Sequence, residues 1–336
     1  MRSSTPNETL PNPDDHQSPP AIVRFKGAFL VLAGVGFALL VSFLVHRFDI
    51  TGALEFPVDI GNPLTNSIDG AVEWLVINLA WFFDAISDNL KFALGKLRDF
   101  LVWVPWPVTV ATVLVVGWKV ATFKIGLSSA VALALIGAVD LWESAMITVA
   151  IMMVSVAISV VIGLTIGVLA SRSNLVDAGI RPLLDGMQTM PAFVYLVPGI
   201  MFFGLGNVPA VIATVLYSIP PCIRLTNLGI RQVDPSVVEA GRAFGSSRMQ
   251  LLTKVQIPLA VPTIMAGINQ TVMLALAMAT IAAMVGAGGL GLEVLRAMGQ
   301  LEQGDAFVAG LAIVILAIIV DRISQGYISS RRRSTE

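Results

Sequence analysis

The chain has 336 residues, 56% of them hydrophobic and 13% charged, with a mean hydropathy of +0.82. Soluble domains carry about 25% charged residues, so a soluble enzyme of this size is excluded. A net charge of −1 gives no basic bias toward nucleic acid, and the lone Cys222 leaves neither a disulfide framework nor a cysteine metal site. Apolar runs near the roughly 20 residues that cross a bilayer core recur along the chain. The roughly ten-residue in–out alternation of a membrane barrel does not appear. The sequence specifies an all-α polytopic membrane protein.

Residues 1–23 are polar and carry Pro6, Pro11, Pro13, Pro19 and Pro20. Such a segment cannot bury enough apolar area to offset its ordering entropy, which predicts a disordered tail. Arg24 and Lys26 precede an apolar run over 27–45. It is predicted to be a first span rather than a signal peptide, because His46-Arg47-Phe48-Asp49 is no small-residue cleavage site. From Arg47 to Phe100 there are eight acidic residues against four basic ones. Here Glu73, Asp84, Asp88, Lys91, Arg98 and Asp99 fall near one helical stripe, with Trp81, Phe82, Ile86, Leu90 and Leu94 mostly opposite. That pattern predicts an external segment, 47–100, with an amphipathic helix at the interface.

Further runs follow at 101–118, 125–140, 144–170, 190–206, 208–223, 258–286 and 306–320, giving about eight spans with the first. All six tryptophans precede residue 143, mostly at run edges, as an interfacial belt expects. Lysine and arginine mark alternate loops: Arg24/Lys26, Lys119/Lys124, Arg172/Arg181, the loop from Arg224 to Lys254, and Arg331–Arg333 in a basic tail over 322–336. Positive charge stays inside, so both termini are expected to be cytoplasmic. Two runs carry small residues every fourth position: Ser155, Ser159, Gly163 and Gly167, and Thr263, Gly267, Thr271, Ala275, Ala279 and Ala283. Such seams let helix backbones pack closely.

The loop 224–257 is the most informative stretch. Asp234 is a helix N-cap with Pro235 at N1, and a helix from Ser236 to Phe244 stops at Gly245. Ser247 and Gln250 form a capping box that restarts a helix toward Leu251 and Leu252. The prediction is two short helices hinged at a glycine, with Ala240, Gly241 and Phe244 forming a small-residue face around one aromatic.

These residues resemble a family. Glu239-Ala240-Gly241, Gly245 and Val255-Gln256-Ile257-Pro258 keep the spacing of the EAA loop of ATP-binding-cassette importer permeases, with Gly241, Val255 and Ile257 as departures. Arg181-Pro-Leu-Leu-Asp185, Gln188-Thr-Met-Pro-Ala-Phe-Val-Tyr-Leu-Val-Pro198, Ile219-Pro-Pro221, Pro262 through Thr271 and Gly288-Gly-Leu-Gly291 are similar to the ProW type, the glycine betaine/L-proline (quaternary amine) permeases. The resemblance covers about 55–321.

It implies a type I importer (MetI-like) core over 142–321, following two spans in 101–140, in a bacterial plasma-membrane protein that works as a homodimer. It further implies that Glu239, Ala240, Gly241, Arg242, Phe244, Gly245, Ser246 and Pro258 couple to two copies of a cytoplasmic ATPase. Because no Gly-x4-Gly-Lys-Ser/Thr occurs, no cofactor is expected in this chain; ATP and Mg would be bound by that partner. An external substrate-binding protein would deliver the solute. Glu239, three residues before Arg242, is expected to fix the loop helix.

Gly286-Ala-Gly-Gly-Leu-Gly291 satisfies G-x-G-x-x-G, but it follows a spanning run rather than a strand, so a bend is expected instead of a dinucleotide site. No Asp, Glu, Lys, Arg or His lies within the last five runs, which disfavours proton coupling. The candidate substrate pathway comprises Gln188, Thr189, Phe193, Tyr195, Tyr217, Asn269 and Gln270, since aromatic faces attract a trimethylammonium group. The alternatives are an ion-coupled secondary transporter with helix breaks at Pro220-Pro221 and Pro258, or an importer of choline or carnitine.

Overall fold

The computed structural model describes residues 21–47 and 61–333, and every regular element among them is helical. The predicted tail 1–23 lies outside the described residues except for its last three, and so does 48–60 of the predicted external segment. The chain divides into two units, Met1–Gly70 and Ala71–Glu336. The first unit contains α1, Ala21–Arg47, whose large apolar side chains from Leu32 to Leu44 are exposed all round. A helix apolar on every face is made for lipid or a protein core.

Four helices are long and apolar enough to cross a membrane: Trp142–Arg172, Asn207–Arg231, Arg248–Val285 and Gln303–Gly326. Two bent pairs raise this to as many as six, and Leu32–Arg47, Trp106–Val120 and Phe123–Ala138 are shorter apolar helices. The eight predicted runs fall largely on these elements, but only four to six of them are long and apolar enough to span, against the eight expected.

The second unit is organised around one helix. Helix α9 (Asn207–Arg231) lies between α6 (Trp142–Arg172) and α12 (Ile257–Ile281), and the two small-residue seams are the surfaces that meet it. A Cβ on Gly163 would lie 2.7 Å from the Cys222 Cβ, and one on Gly167 2.6 Å from the Thr226 Cβ. The Ser159 and Ser218 hydroxyls are 3.0 Å apart. On the other side, a Cβ on Gly267 would lie 2.9 Å from the Leu225 Cβ, and one on Gly229 of α9 would meet Thr263 at the same distance. Thr271, Ala275, Ala279 and Ala283 are buried. Around this centre, α4 (Trp106–Val120) and α5 (Phe123–Ala138) close together at Gly117 and Gly126, and α14 (Gln303–Arg333) covers α4, α5 and α12.

Two predicted elements differ in the structure. The amphipathic stretch is not one helix: α2 (Gly61–Asn78) breaks at Leu79 before α3 (Ala80–Trp103). The Asn78 side-chain amide donates back to the Trp74 carbonyl at 2.8 Å in the last turn of α2. Leu90 and Leu94 of α3 then bury themselves against Ile151, Val208 and Val211, so protein covers this part of the face.

The run 190–206 is not a continuous span either. After α7 (Asn174–Thr189) the chain turns by 116° into a 3₁₀ turn, Ala192–Tyr195, and α8, Leu196–Phe203. Pro191 is the cause: proline bars the preceding residue from helical geometry, and Met190 is extended at φ −71°, ψ 136°.

The proposed helix breaks also resolve differently. Helix α9 runs unbroken through the buried Pro220 and Pro221. Pro258 follows a π turn, Leu252–Gln256, in which Ile257 N–H bonds the Leu252 carbonyl five residues back. The wider turn accommodates the proline without ending the helix.

Gly286–Gly291 forms the expected bend. Gly286 and Gly289 sit at φ +83° and +96°. The turn is tied to two helices: Gly288 N–H donates to Asn207 Oδ1 at 3.0 Å and Leu290 N–H to Thr148 Oγ1 at 2.8 Å. It leads into α13, Leu290–Gly299.

The packing of α9 predicts an asymmetry among glycines. Gly163→Val should cost about 1–3 kcal/mol by overpacking, whereas Gly179→Ala, with no atom within 4 Å of its added Cβ, should leave stability unchanged or slightly raised. Thermal unfolding of the two purified variants checks this.

Candidate functional site

At the end of α9 the chain builds a helical knob. Val233 anchors it, buried in a cluster with Ile230, Leu252, Ala260 and Ile264. Asp234 Oδ1 accepts the Ser236 N–H at 2.8 Å and starts α10, Pro235–Ala243. The Ser236 hydroxyl and N–H hold the Asp234 carboxyl below the usual carboxylate range. Stability from this cap is present above the unfolded carboxyl's pKa and is lost as pH falls through the lowered folded value.

Helix α10 closes with two bonds: Gly245 N–H to the Arg242 carbonyl at 2.9 Å, and Ser246 N–H to that of Gly241 at 3.1 Å. This is a complete Schellman motif, and it places Gly245 at φ +78°. Ser247 and Gln250 cap each other's backbone as predicted, at the start of α11, Arg248–Leu251. This second helix does not stay short. It continues through the π turn into α12, so the knob is one free helix, α10, folded against the root of a long span.

The predicted coupling residues gather on this knob. Glu239, Ala240, Arg242 and Phe244 are exposed, with Phe244 showing 92% of its surface. An aromatic ring left in the open at a tight turn has no role in the core and suits a partner's pocket. Gly241 has a packing reason: a Cβ there would lie 2.8 Å from Leu251 Cδ1, so its small size lets α10 rest on the root of α12. Ser246 is half-buried, and Pro258 is exposed behind the π turn. The expected Glu239–Arg242 pair is absent from the ion pairs of the described residues. Both side chains instead line a cavity of about 800 Å³ between the knob and the ends of α6 and α9, together with Arg172, Arg231, Ser246 and Arg248.

Of the seven pathway candidates, the structure brings Tyr195 and Tyr217 together, edge-on with ring centroids 5.6 Å apart. Tyr195 is buried and its hydroxyl donates to the Met187 carbonyl. Gln188, Thr189 and Phe193 are exposed around the Pro191 turn. Asn269 is directed elsewhere, accepting the Ser324 hydroxyl of α14 at 2.6 Å, and Gln270 is exposed on α12.

Sequence reasoning missed a buried carboxylate. Asp177, on α7, is 5% exposed and is held by Arg181, Asn227 and Arg231. Its i,i+4 relation to Arg181 was visible in the sequence, but the partners on α9 lie about fifty residues away and are joined only by the fold.

A buried helix gripped by small-residue seams and a helical knob with an exposed aromatic are the two features that a family assignment must account for. Residues 159–334 match the model of the family described as binding-protein-dependent transport system inner membrane component. The chain is 46% identical over 263 residues to the glycine betaine/proline betaine transport system permease protein ProW of Escherichia coli K12, covering 78% of this chain and 74% of that protein. It matches the glycine betaine permease OpuAB of Bacillus subtilis at the same identity, covering 78% of this chain and 93% of that protein. Inward-facing MetNI methionine ABC transporter has the same fold, at 25% identity and a TM-score of 0.50 over 56% of this chain and 93% of that one. The chain belongs to the binding-protein-dependent inner membrane components and has the MetI-like fold of ABC importer permeases.

The turn geometry at Gly245 yields a graded prediction. A side chain in left-handed geometry costs about 1–2 kcal/mol, with asparagine the residue that tolerates it best. Gly245→Val should therefore speed amide exchange across α10 by roughly 5–30-fold, and Gly245→Asn much less; hydrogen exchange of the two variants separates them.

Proposed function

We propose that this chain is the membrane-spanning permease subunit of an ATP-driven, binding-protein-dependent importer of glycine betaine and related quaternary amines. The observation that carries the reading is the knob: a Schellman-closed helix with the EAA spacing and Phe244 presented 92% exposed, in a chain 46% identical to glycine betaine permeases. In this reading α10 is the coupling helix and seats in a cytoplasmic ATPase, two copies of which serve two copies of this chain. ATP and Mg belong to the ATPase, an external binding protein delivers solute, and both termini face the cytoplasm of a bacterial cell.

The Tyr195–Tyr217 pair is the feature among the pathway candidates best matched to a trimethylammonium cargo. Aromatic faces attract such a cation by about 0.5–2 kcal/mol, weak enough for release on the far side. The related permease GbuB of Listeria monocytogenes, 44% identical over 273 residues, is named for glycine betaine and carnitine, so carnitine is the first competitor to test.

Uptake of labelled betaine into vesicles holding permease and ATPase, with binding protein on the outside, tests the reading. Glu239→Lys should abolish uptake and the stimulation of ATP hydrolysis by loaded binding protein, while binding-protein affinity for betaine is unchanged. Uptake that survives this reversal, or that runs on an ion gradient without ATP, would overturn the proposal.

A further inference from the structure

Arg231 is the last residue of α9, and each of its guanidinium nitrogens is engaged. Nε donates to Asn227 Oδ1 at 2.9 Å, Nη1 to Asn174 Oδ1 at 2.8 Å, and Nη2 to the Ala170 carbonyl at 2.7 Å. Nη2 also stands 3.6 Å from Asp177 Oδ2. Ala170 lies in the last turn of α6, where carbonyls have no partner within the helix. Asn174 begins α7. One side chain thus ties together the ends of three helices.

Asp177 completes the node from the other side. Its Oδ1 accepts from Asn227 Nδ2 at 2.7 Å and Arg181 Nε at 3.2 Å, and its Oδ2 from Arg181 Nη2 at 2.6 Å. The carboxylate is almost fully removed from solvent, with two guanidiniums compensating it. A buried charge held this way resists separation from its partners, because separation would leave it desolvated and unpaired. The planar guanidinium fork fixes direction as well as distance.

The position of the node gives it a use. Asp234, the cap of α10, follows Arg231 by only three residues, and Val233 between them is buried. Arg231 also forms part of the wall of the cavity beneath the knob, beside Glu239 and Arg242. Beyond α7, the Pro191 turn leads to Tyr195, buried against Tyr217 of α9. Arg231 therefore stands where the chain leaves α9 for the knob, and it is bonded there to both α6 and α7.

We propose that Asp177 and Arg231 are positioning residues for transport: a charged strut that makes the coupling knob and α7 move as one body, so that work done on the knob reaches the aromatic pair. The inference rests on the reading of α10 as the ATPase contact. Without the strut, α7 decouples from the knob although the permease still folds and still docks.

Two measurements on the full complex test this. In the first, Asp177→Asn and Arg231→Lys are compared with wild type for solute moved per ATP hydrolysed. Both variants should retain complex assembly and ATP hydrolysis within about twofold, while transport per ATP falls at least tenfold. Lysine, a single point charge, cannot span Asn174, Asn227 and the Ala170 carbonyl together. Asp177→Glu, which keeps the charge, should recover part of the ratio. A purely structural role would lower assembly and hydrolysis together and leave the ratio unchanged.

In the second, spin labels at the exposed Val237→Cys position of α10 and Leu183→Cys position of α7 report the distance between knob and α7; the native Cys222 is buried and does not interfere. Between the nucleotide-free and ATP-trapped complexes that distance should stay fixed in wild type and broaden in Asp177→Asn. An unchanged transport ratio, or a wild-type distance that shifts as widely as the variant's, overturns the strut. If wild type takes up no betaine, the substrate reading fails and the label distance alone decides the strut.

Discussion

Everything in the second unit depends on how closely α9 is approached from two sides. In lipid there is no hydrophobic drive for helices to associate, so the interface must be made by contact at short range. The Gly163/Cys222, Gly167/Thr226 and Gly267/Leu225 contacts are spaced so tightly that a single added carbon would collide. That spacing buries α9 along most of its length, Pro220 and Pro221 included. Proline's loss of a helical donor is tolerable there because the flanking helices hold the segment in shape.

The two ends of this bundle are finished by different chemistry. At one end glycine provides the geometry and side-chain oxygens provide the anchors: Thr148 and Asn207 bind the backbone of the Gly286–Gly291 bend, and Ser144 donates to Glu293 of α13 at 2.8 Å. At the other end charges converge, with the Asp177–Arg231 node at the helix ends and an arginine-rich cavity beneath the knob. The exposed Phe244 sits at the turn that closes α10, on this charged end.

Legibility in the sequence followed the range of the interaction. The N-cap at Asp234, the stop at Gly245 and the Ser247–Gln250 box each involve residues within a few positions, and each forms as predicted. The break at Pro191 is equally local, yet an apolar run extending across it masked a proline that bars helix at Met190. The π turn before Pro258 kept α11 and α12 continuous where the second helix of the knob was expected to be short. At the pathway, residue chemistry suggested seven candidates, but side-chain direction chose among them: Tyr195 faces Tyr217, whereas Asn269 faces Ser324.

By itself, the sequence determined the membrane class, the small-residue seams, the form of the knob and the permease family, because these rest on composition, four-residue spacing and short-range backbone chemistry. The tertiary structure decided which helix the seams grip, that Glu239 and Arg242 face a cavity instead of each other, and that Asp177 meets Arg231. Those outcomes depend on groups up to about a hundred residues apart along the chain, and no local pattern encodes a pairing that exists only once three helices have been packed to within van der Waals contact.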